Sequence, residues 1–382
     1  MDISKVYEKV ADRYQNGDMK RRSFLRVVGR MALMMGVGGS AIGRMAGAAH
    51  AAGTIRYDGF GGYSQAAYDN LVLKPFAAKT GYTVNQGSYG SPDAFIAQLQ
   101  AEGIEKFNLF WAASDLTPIQ AKRRGWIMEM DESKMPRIKD LIPKLVETNK
   151  KNGGGQLISI PYCLSGGAIA FNTKLVDPAF VAEQGFNILL SPKYKGNVGA
   201  FDNWQYRTYY AALQAGQDPN NISDIQAVWE KVRELKRNVL KFWSTGAEQV
   251  SLLTSESIAM TDAWFVPIHN LRKKGLPFDY WPKNGSYTQA GTLVALKGTP
   301  PDALYEMVDI LLRPEVSFAL SLETGNLPLL DPKKHAFPAE VQKLPGYDPT
   351  GTFDGYRSFD PIYWEEKGLT WQREYIRVLS RS

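Results

Sequence analysis

From residue 54 onward, short strand-like runs alternate with stretches of helical periodicity, and this alternation constrains the fold more than any other feature. Residues 54–57 read as a strand, a helical pattern follows through Ala77, and the same order repeats at residues 82–84 and 93–100. Strands that alternate with helices build βαβ units around a largely parallel sheet. The sequence therefore predicts an α/β protein.

The chain is long enough for two compact units. Its 382 residues exceed one ordinary domain, which favours two lobes. Extended runs at 157–162 and 166–172, with a proline and small residues between them, suit a strand that crosses from one lobe to the other. We predict a first lobe of residues 52–161 plus about 291–330, and a second lobe of residues 162–290 plus about 331–382.

The positive charge of the chain is concentrated at its N-terminus. Residues 1–51 hold nine Lys/Arg and four Asp/Glu, a net of +5, so the total of +6 leaves about +1 for the remainder. Without excess positive charge, residues 52–382 cannot bind a phosphate backbone electrostatically. We therefore predict no nucleic-acid partner.

The N-terminal segment has the three parts of a signal peptide. A charged region contains Arg21 and Arg22 within Arg-Arg-Ser-Phe-Leu, a weakly apolar stretch covers residues 31–43, and small residues precede Ala51. The arginine pair resembles a twin-arginine export signal, which implies the matching translocase as a partner. A membrane anchor is excluded by length, since spanning takes about 20 mostly apolar residues. We predict a signal peptide at residues 1–51, cleaved near Ala51.

Catalytic and metal motifs are absent from the sequence. Cys163 is the only cysteine, so it forms no intramolecular disulfide, and only His269 and His335 lie beyond the predicted signal. The sequence holds no H-E-x-x-H, G-x-S-x-G or P-loop motif. We predict that the protein is not an enzyme, with no catalytic residue, metal or cofactor.

Several segments, taken in chain order over roughly residues 55–330, carry a family resemblance. They are Ser-Asp at 114–115 with Gly-Trp at 125–126 and Met-Asp-Glu-Ser-Lys-Met-Pro at 130–136, Ile-Pro-Tyr at 160–162 with Ala-Phe-Asn-Thr at 170–173, Pro-Lys-Tyr-Lys-Gly at 192–196, Leu-Val-Ala-Leu-Lys-Gly at 293–298, and Leu-Leu-Arg-Pro-Glu-Val at 311–316. In these segments the chain resembles the periplasmic spermidine/putrescine-binding proteins, within the extracellular solute-binding proteins of ABC importers.

The resemblance implies a fold and a role. It implies the two-lobed periplasmic-binding-protein fold (type II), in which each lobe is a mostly parallel sheet flanked by helices and hinge strands join the lobes. A small molecule binds in the cleft, which closes over it. The expected protein is a periplasmic monomer, the substrate-binding component of an ABC importer, which delivers its ligand to an inner-membrane permease.

The resemblance also suggests ligand-binding residues. Phe60 and Tyr63 match the family's ligand-facing first turn, although both could simply pack against a helix. Ser114 and Asp115 match its Ser-Asp pair, although Asp115 could be only a helix cap. In the second lobe, Trp264 could stack on the ligand and Asp262 could pair with an amine. These assignments are expectations of the resemblance.

The second lobe also departs from the family pattern. The family resemblance implies acidic ligand-binding residues in two regions of this lobe. The first region reads Asp202-Asn203-Trp204-Gln205-Tyr206-Arg207 here, so one acid position of the family falls near Tyr206 or Arg207. In the second region, Gln289 and Gly291 stand where the family has a Trp and an Asp. A guanidinium suits a carboxylate or phosphate, which shifts the expected ligand from a polyamine-like amine towards a zwitterionic or acidic solute. Arg207 could instead be a solvated helix residue.

Two alternatives to organic-solute binding stay open. Tyr206, Tyr209 and Tyr210 could ligate ferric iron, as paired tyrosines do in related binders, although helical spacing alone also explains them. An exported redox enzyme is the other alternative, because twin-arginine export often carries folded cofactor enzymes.

Overall fold

The computed structural model describes residues 53–283 and 285–380, so the signal peptide predicted for residues 1–51 lies outside the described residues. The described chain is a mixture of helices and strands built on one continuous hydrogen-bonded sheet. The predicted α/β class is confirmed. Among the described residues, no helix combines the length and the apolar character needed to cross a membrane.

The strands form a path with the order β2-β1-β3-β9-β4-β7-β5-β6, and β8 and β10 pair with β4 beside this path. Within the first three strands and within the last three, the pairing is parallel. The strands are β1 (Thr54–Gly59), β2 (Thr83–Ser88), β3 (Leu109–Ala112), β4 (Ile160–Asn172), β5 (Val198–Phe201), β6 (Val239–Trp243), β7 (Met260–Trp264), β8 (Phe278–Trp281), β9 (Tyr287–Ala295) and β10 (Leu327–Pro328).

Helices connect and cover these strands. A π turn at Asp69–Leu73 joins the first two helices into one continuous stretch. The helices are α1 (Gly62–Tyr68), α2 (Lys74–Thr80), α3 (Pro92–Glu102), α4 (Leu116–Arg123), α5 (Pro143–Asn152), α6 (Pro178–Gln184), α7 (Trp204–Gln214), α8 (Ile225–Asn238), α9 (Gly246–Thr254), α10 (Phe265–Lys273), α11 (Pro301–Leu311), α12 (Pro314–Thr324), α13 (Ala339–Gln342) and α14 (Pro361–Ser380).

Strands β4 and β9 run through both halves of the sheet. The second half of β9 pairs with β3, while its first half pairs with β4 only. The second half of β4 pairs with β7 and β8. Gly166 permits this close pairing, because a Cβ there would lie 2.5 Å from the Tyr287 carbonyl oxygen. The crossing strand expected from residues 157–172 is therefore the single strand β4.

Two large apolar cores lie on either side of the crossing strands. The first contains Ile55, Phe76 and Leu293, with the apolar faces of α11 and α12 packed over them. The second contains Ile169, Tyr210 and Trp229, under α7, α8 and α14. Two smaller clusters complete the two halves. Each half thus buries its own apolar surface, as expected of two lobes.

Two stretches differ from their predicted secondary structure. Helical periodicity predicts one helix over residues 222–242, whereas α8 ends at Asn238 and β6 follows at once. The β-branched and aromatic residues of β6 pair in parallel with β5, and this pairing overrides the local helical pattern. Helix α12, which begins at Pro314 directly after α11, was not predicted.

The C-terminal segment divides between the two cores. The predicted second lobe includes everything from about residue 331, but Phe337, Val341 and Leu344 pack in the first core. Phe359 and helix α14 pack against the second core. The chain therefore passes to the second core only after Tyr356, which still touches the first.

Candidate functional site

The carboxyl ends of β1, β2 and β3 form one edge of the first lobe. After β1, Gly61 and Gly62 adopt φ of 70° and 62°, which glycine tolerates best, and α1 begins. Phe60 lies in this turn with its ring centroid 4.6 Å from that of Tyr89 and 5.2 Å from that of Trp111. The carboxyl ends of parallel strands are the usual ligand-binding edge of such sheets.

Asp115 lies at the same edge, directly before α4. Its side chain makes no capping hydrogen bond, while the neighbouring Ser114 Oγ accepts a hydrogen bond from Leu116 N at 3.1 Å. Desolvation by the surrounding protein raises the pKa of Asp115 to about 6, although the residue stays partly exposed. A carboxylate that is crowded yet still in contact with solvent is typical of the wall of a cleft. Asp115 thus occupies the N-cap position of α4 without capping the helix through its side chain.

The carboxyl ends of β5, β6 and β7 form the matching edge of the second lobe. Here Phe201, Trp243 and Trp264 make an aromatic cluster, with the Trp264 ring centroid 5.0 Å from Phe201 and 5.4 Å from Trp243. Phe201 and Trp264 are half-buried, whereas Trp243 lies beneath them. The cluster offers partly exposed aromatic surface on which a ligand could stack.

Arg207 and Asp262 form an ion pair below this edge. Arg207 is 0% exposed, and one of its Nη atoms donates to Asp262 Oδ2. Asp262 Oδ1 also accepts a hydrogen bond from Phe201 N at 3.0 Å, so the pair fixes the end of β5. The alternative that Arg207 is a solvated helix residue is wrong, because the side chain is fully buried.

Ion pairs join the two lobes. Arg123 of α4 forms an ion pair with Glu365 of α14. Lys273 of α10 lies 2.9 Å from Glu323 of α12 and 3.4 Å from the Tyr63 hydroxyl, which itself donates to Glu323. Tyr63, which is 47% exposed, therefore belongs to a contact between the lobes at the start of α1. Because ligands of such sheets bind outside the carboxyl ends of the strands, the two edges are the candidate walls of a cleft.

Comparison with known proteins agrees with this architecture. The family model described as "Bacterial extracellular solute-binding protein" matches residues 72–347, which is more than half of the chain. The chain belongs to the bacterial extracellular solute-binding proteins.

Individual relatives of this solute-binding protein are distant in sequence. "Spermidine/putrescine-binding periplasmic protein 1" of Haemophilus influenzae is 26% identical over 285 residues, covering 73% of this chain and 77% of the relative. A spermidine/putrescine ABC transporter substrate-binding protein from Streptococcus pneumoniae aligns with a TM-score of 0.67 at 18% identity, covering 86% of this chain and 100% of that one. A binding protein from A. tumefaciens R10, in complex with agropinic acid, aligns with a TM-score of 0.68 at 16% identity, covering 87% and 100%. The predicted two-lobed fold is confirmed.

The remaining predicted residues lie around the second-lobe wall of this solute-binding protein. Tyr206 is half-buried, with its ring centroid 5.3 Å from Phe201. Gln289 sits on β9 opposite Ser165 and beside the Tyr206 phenol, whose pKa it helps to lower against the effect of burial. Asp202 is exposed and accepts a hydrogen bond from the Tyr375 hydroxyl at 3.2 Å. Tyr206 and Gln289 thus connect the second-lobe wall to the crossing strand.

Three aromatic residues of the walls were absent from the predicted set: Trp111, Phe201 and Trp243. Trp111 and Phe201 stand at or next to the ends of their strands, Trp111 three residues before Ser114 and Phe201 directly before Asp202. Those positions could have identified both residues. Trp243 could not be found in this way, because β6 itself was predicted as helix.

The three tyrosines proposed as iron ligands pack edge-on around the Tyr287 ring, with centroid distances of 5.1 to 6.5 Å. Tyr209 and Tyr210 are buried in the second core, and burial raises the pKa of both phenols. A raised pKa disfavours the phenolate that would bind Fe³⁺. In the described part of the chain, no cluster of three or more His, Cys, Asp or Glu could hold a metal ion. No observation therefore favours the ferric alternative.

Proposed function

We propose that this solute-binding protein is the periplasmic substrate-binding component of an ABC importer, and that its ligand is a small organic solute carrying at least one ammonium group. The protein captures this solute in the cleft and delivers it to an inner-membrane permease. It acts as a monomer that binds without catalysis. The twin-arginine signal and cleavage near Ala51 belong to the same proposal.

The observation that carries the ligand class is the Asp115 carboxylate at the first-lobe edge, which has no hydrogen-bond or ion-pair partner among the described residues. Desolvation raises its pKa to about 6, so it is largely ionised at neutral pH. A partly desolvated anion without a partner attracts a cation, and aromatic faces such as Phe60 and Trp264 stabilise an ammonium further. The relatives named for spermidine and putrescine support a cationic group in the ligand.

Arg207 does not supply the anion site that its sequence position suggested. Its guanidinium is fully buried and one Nη pairs with Asp262, while Nε and the other Nη have no partner among the described residues. A fully buried guanidinium does not face a cleft, so it gives no support to a purely acidic ligand. A zwitterion remains compatible with the proposal, provided that its ammonium lies at Asp115.

The proposal is tested by ligand-dependent thermal unfolding of the purified protein. We expect putrescine, spermidine or 4-aminobutyrate to raise the melting temperature, and succinate and phosphate to leave it unchanged. Asp115→Asn should weaken binding of the ammonium ligand by about 10–100-fold, because a charge-assisted hydrogen bond contributes about 1.5–3 kcal/mol. Binding should also weaken as the pH falls through about 6, where Asp115 takes up a proton.

Asp202→Asn is the matched control. Asp202 is exposed and already accepts a hydrogen bond from Tyr375, so its replacement should alter binding much less than Asp115→Asn. Binding of succinate or phosphate, or unchanged binding by the Asp115→Asn protein, would contradict the proposal.

A further inference from the structure

A small cavity of about 20 Å³ lies within the first lobe, beneath the edge formed by β1 and β3. Tyr57, Tyr68 and Trp111 line one side, and helix α12 with Asn326 lines the other. Of the described residues that line it, only Ser64 is not fully buried. Ser64 directly follows Tyr63 in α1, so the pocket opens at the first-lobe edge of the cleft.

Three polar atoms of this pocket are buried without a hydrogen-bond partner among the described residues. They are the Tyr68 hydroxyl, Trp111 Nε1 and Asn326 Oδ1, and their side chains are at least nine-tenths buried. An unpaired buried polar atom costs about 1–3 kcal/mol. Three of them around one pocket indicate that a hydrogen-bonding occupant belongs there.

The pocket has no formal charge. Its described lining contains no Asp, Glu, Lys, Arg or His. Desolvation raises the pKa of the Tyr68 phenol and raises that of Cys163 to about 12, so both stay protonated at neutral pH. An ammonium or a carboxylate would enter this pocket without a counter-charge, which is unfavourable.

The three unpaired polar atoms also define which hydrogen bonds the occupant makes. Trp111 Nε1 only donates, so the occupant must accept, and Asn326 Oδ1 only accepts, so the occupant must also donate. On α12, the hydroxyls of Ser317 and Ser321 already donate to backbone carbonyls, which leaves them only as acceptors. A hydroxyl meets both requirements and fits a cavity with room for about one water-sized group, whereas an ammonium cannot accept.

Gly291 allows Cys163 and Trp111, two residues of the pocket lining, to pack closely against β9. It stands on β9 at the position where the resemblance places an aspartate. A Cβ there would lie 2.5 Å from Cys163 Sγ and 3.0 Å from Trp111 Nε1. Any side chain at this position would therefore occupy the space next to the Trp111 donor.

We propose that this pocket is a subsite for one uncharged hydroxyl group of the transported solute. The inference rests on the proposed function. The loss of a carboxylate at Gly291 and the neutral pocket behind it then have one common explanation: the solute presents an ammonium to Asp115 and a neutral polar group to the pocket.

The test compares ligands that differ by one hydroxyl group: putrescine with 1,4-diaminobutan-2-ol, and 4-aminobutyrate with 4-amino-3-hydroxybutyrate. Isothermal titration should show at least one pair whose hydroxyl member binds about 10-fold tighter than its partner. Tyr68→Phe and Gly291→Ala should each bring that ratio towards one. Tyr194→Phe is the matched control, because it removes an equally unpartnered buried hydroxyl from the second lobe, and it should leave the ratio unchanged.

Two results would overturn the inference. If the members of every pair bind equally, and Tyr68→Phe binds as the unaltered protein does, water alone fills the pocket and the proposed function stands. If no compound with an ammonium group binds, the proposed function fails and the inference fails with it.

Discussion

Arg207→Met is expected to lower the free energy of unfolding by about 3–5 kcal/mol at pH 8, because it leaves the Asp262 carboxylate buried without its partner. The pair is fully enclosed, and Asp262 also holds the backbone of Phe201 at the end of β5. Arg207→Met therefore removes the ion pair and loosens the second-lobe edge beside Trp264. Urea unfolding followed by tryptophan fluorescence measures the change.

The pH dependence of this loss identifies its cause. Burial raises the pKa of Asp262 already in the presence of Arg207, and removing the guanidinium raises it further. An acid whose pKa is higher in the folded than in the unfolded state adds to the free energy of unfolding at pH values below its unfolded pKa of roughly 3.9. This added stability is lost as the pH rises through the pKa of the folded state. The deficit of Arg207→Met should therefore shrink towards pH 4.

The double variant Arg207→Met/Asp262→Leu is the control. It replaces both charges with apolar groups, which is often neutral or stabilising, so it should recover most of the lost stability. A deficit that is equal at pH 4 and pH 8, and that persists in the double variant, would mean that Arg207 acts through packing and not through its charge.

Trp364→Ala is expected to cost about 3–5 kcal/mol, the usual range for removing a buried tryptophan from a core. Trp364 is 1% exposed, and its ring packs against Phe359 and Trp371, with centroids 5.5 Å and 5.6 Å away. Its Nε1 donates to Asn220 Oδ1 at 2.9 Å, so the truncation also leaves that amide oxygen without this donor. Thermal and urea unfolding measure the effect.

Ile376→Ala, on the same helix, is the matched control for Trp364→Ala. Ile376 is 60% exposed, so its truncation should change stability by no more than about 0.5 kcal/mol. If the two variants lose equal stability, helix α14 is held by its own helical propensity. If Trp364→Ala alone is destabilised, α14 is an integral part of the second core.

The fold was largely predictable because its signals are local. Helices such as α3 and α14 carry their own periodicity, and β4 is marked by a proline between apolar runs. Elements that depend on distant partners were not predictable. Strand β6 follows α8 without a break and is defined by its pairing with β5.

The site was less predictable than the fold, for a related reason. Ser114 and Asp115 were predicted from a motif that directly follows a strand, so their place at the edge of the sheet could be read from the sequence. The burial of Arg207 was missed, because its partner Asp262 is 55 positions away and a charged residue on a helix usually faces solvent. The three unpaired polar atoms of the first-lobe pocket come from segments far apart in sequence, and only the folded chain brings them together.

The position of β9 has a consequence for how the molecule is made. In the first lobe, β3 has β1 on one side and β9 on the other, and β9 ends at Ala295, 183 residues after β3 ends at Ala112. During synthesis, the lobe that begins first therefore stays an open half-sheet until most of the other lobe has been translated. Such long-range pairing slows folding and leaves the unpaired edge of β3 exposed in the meantime. A growing chain of this protein is thus most in need of a chaperone just before β9 emerges from the ribosome.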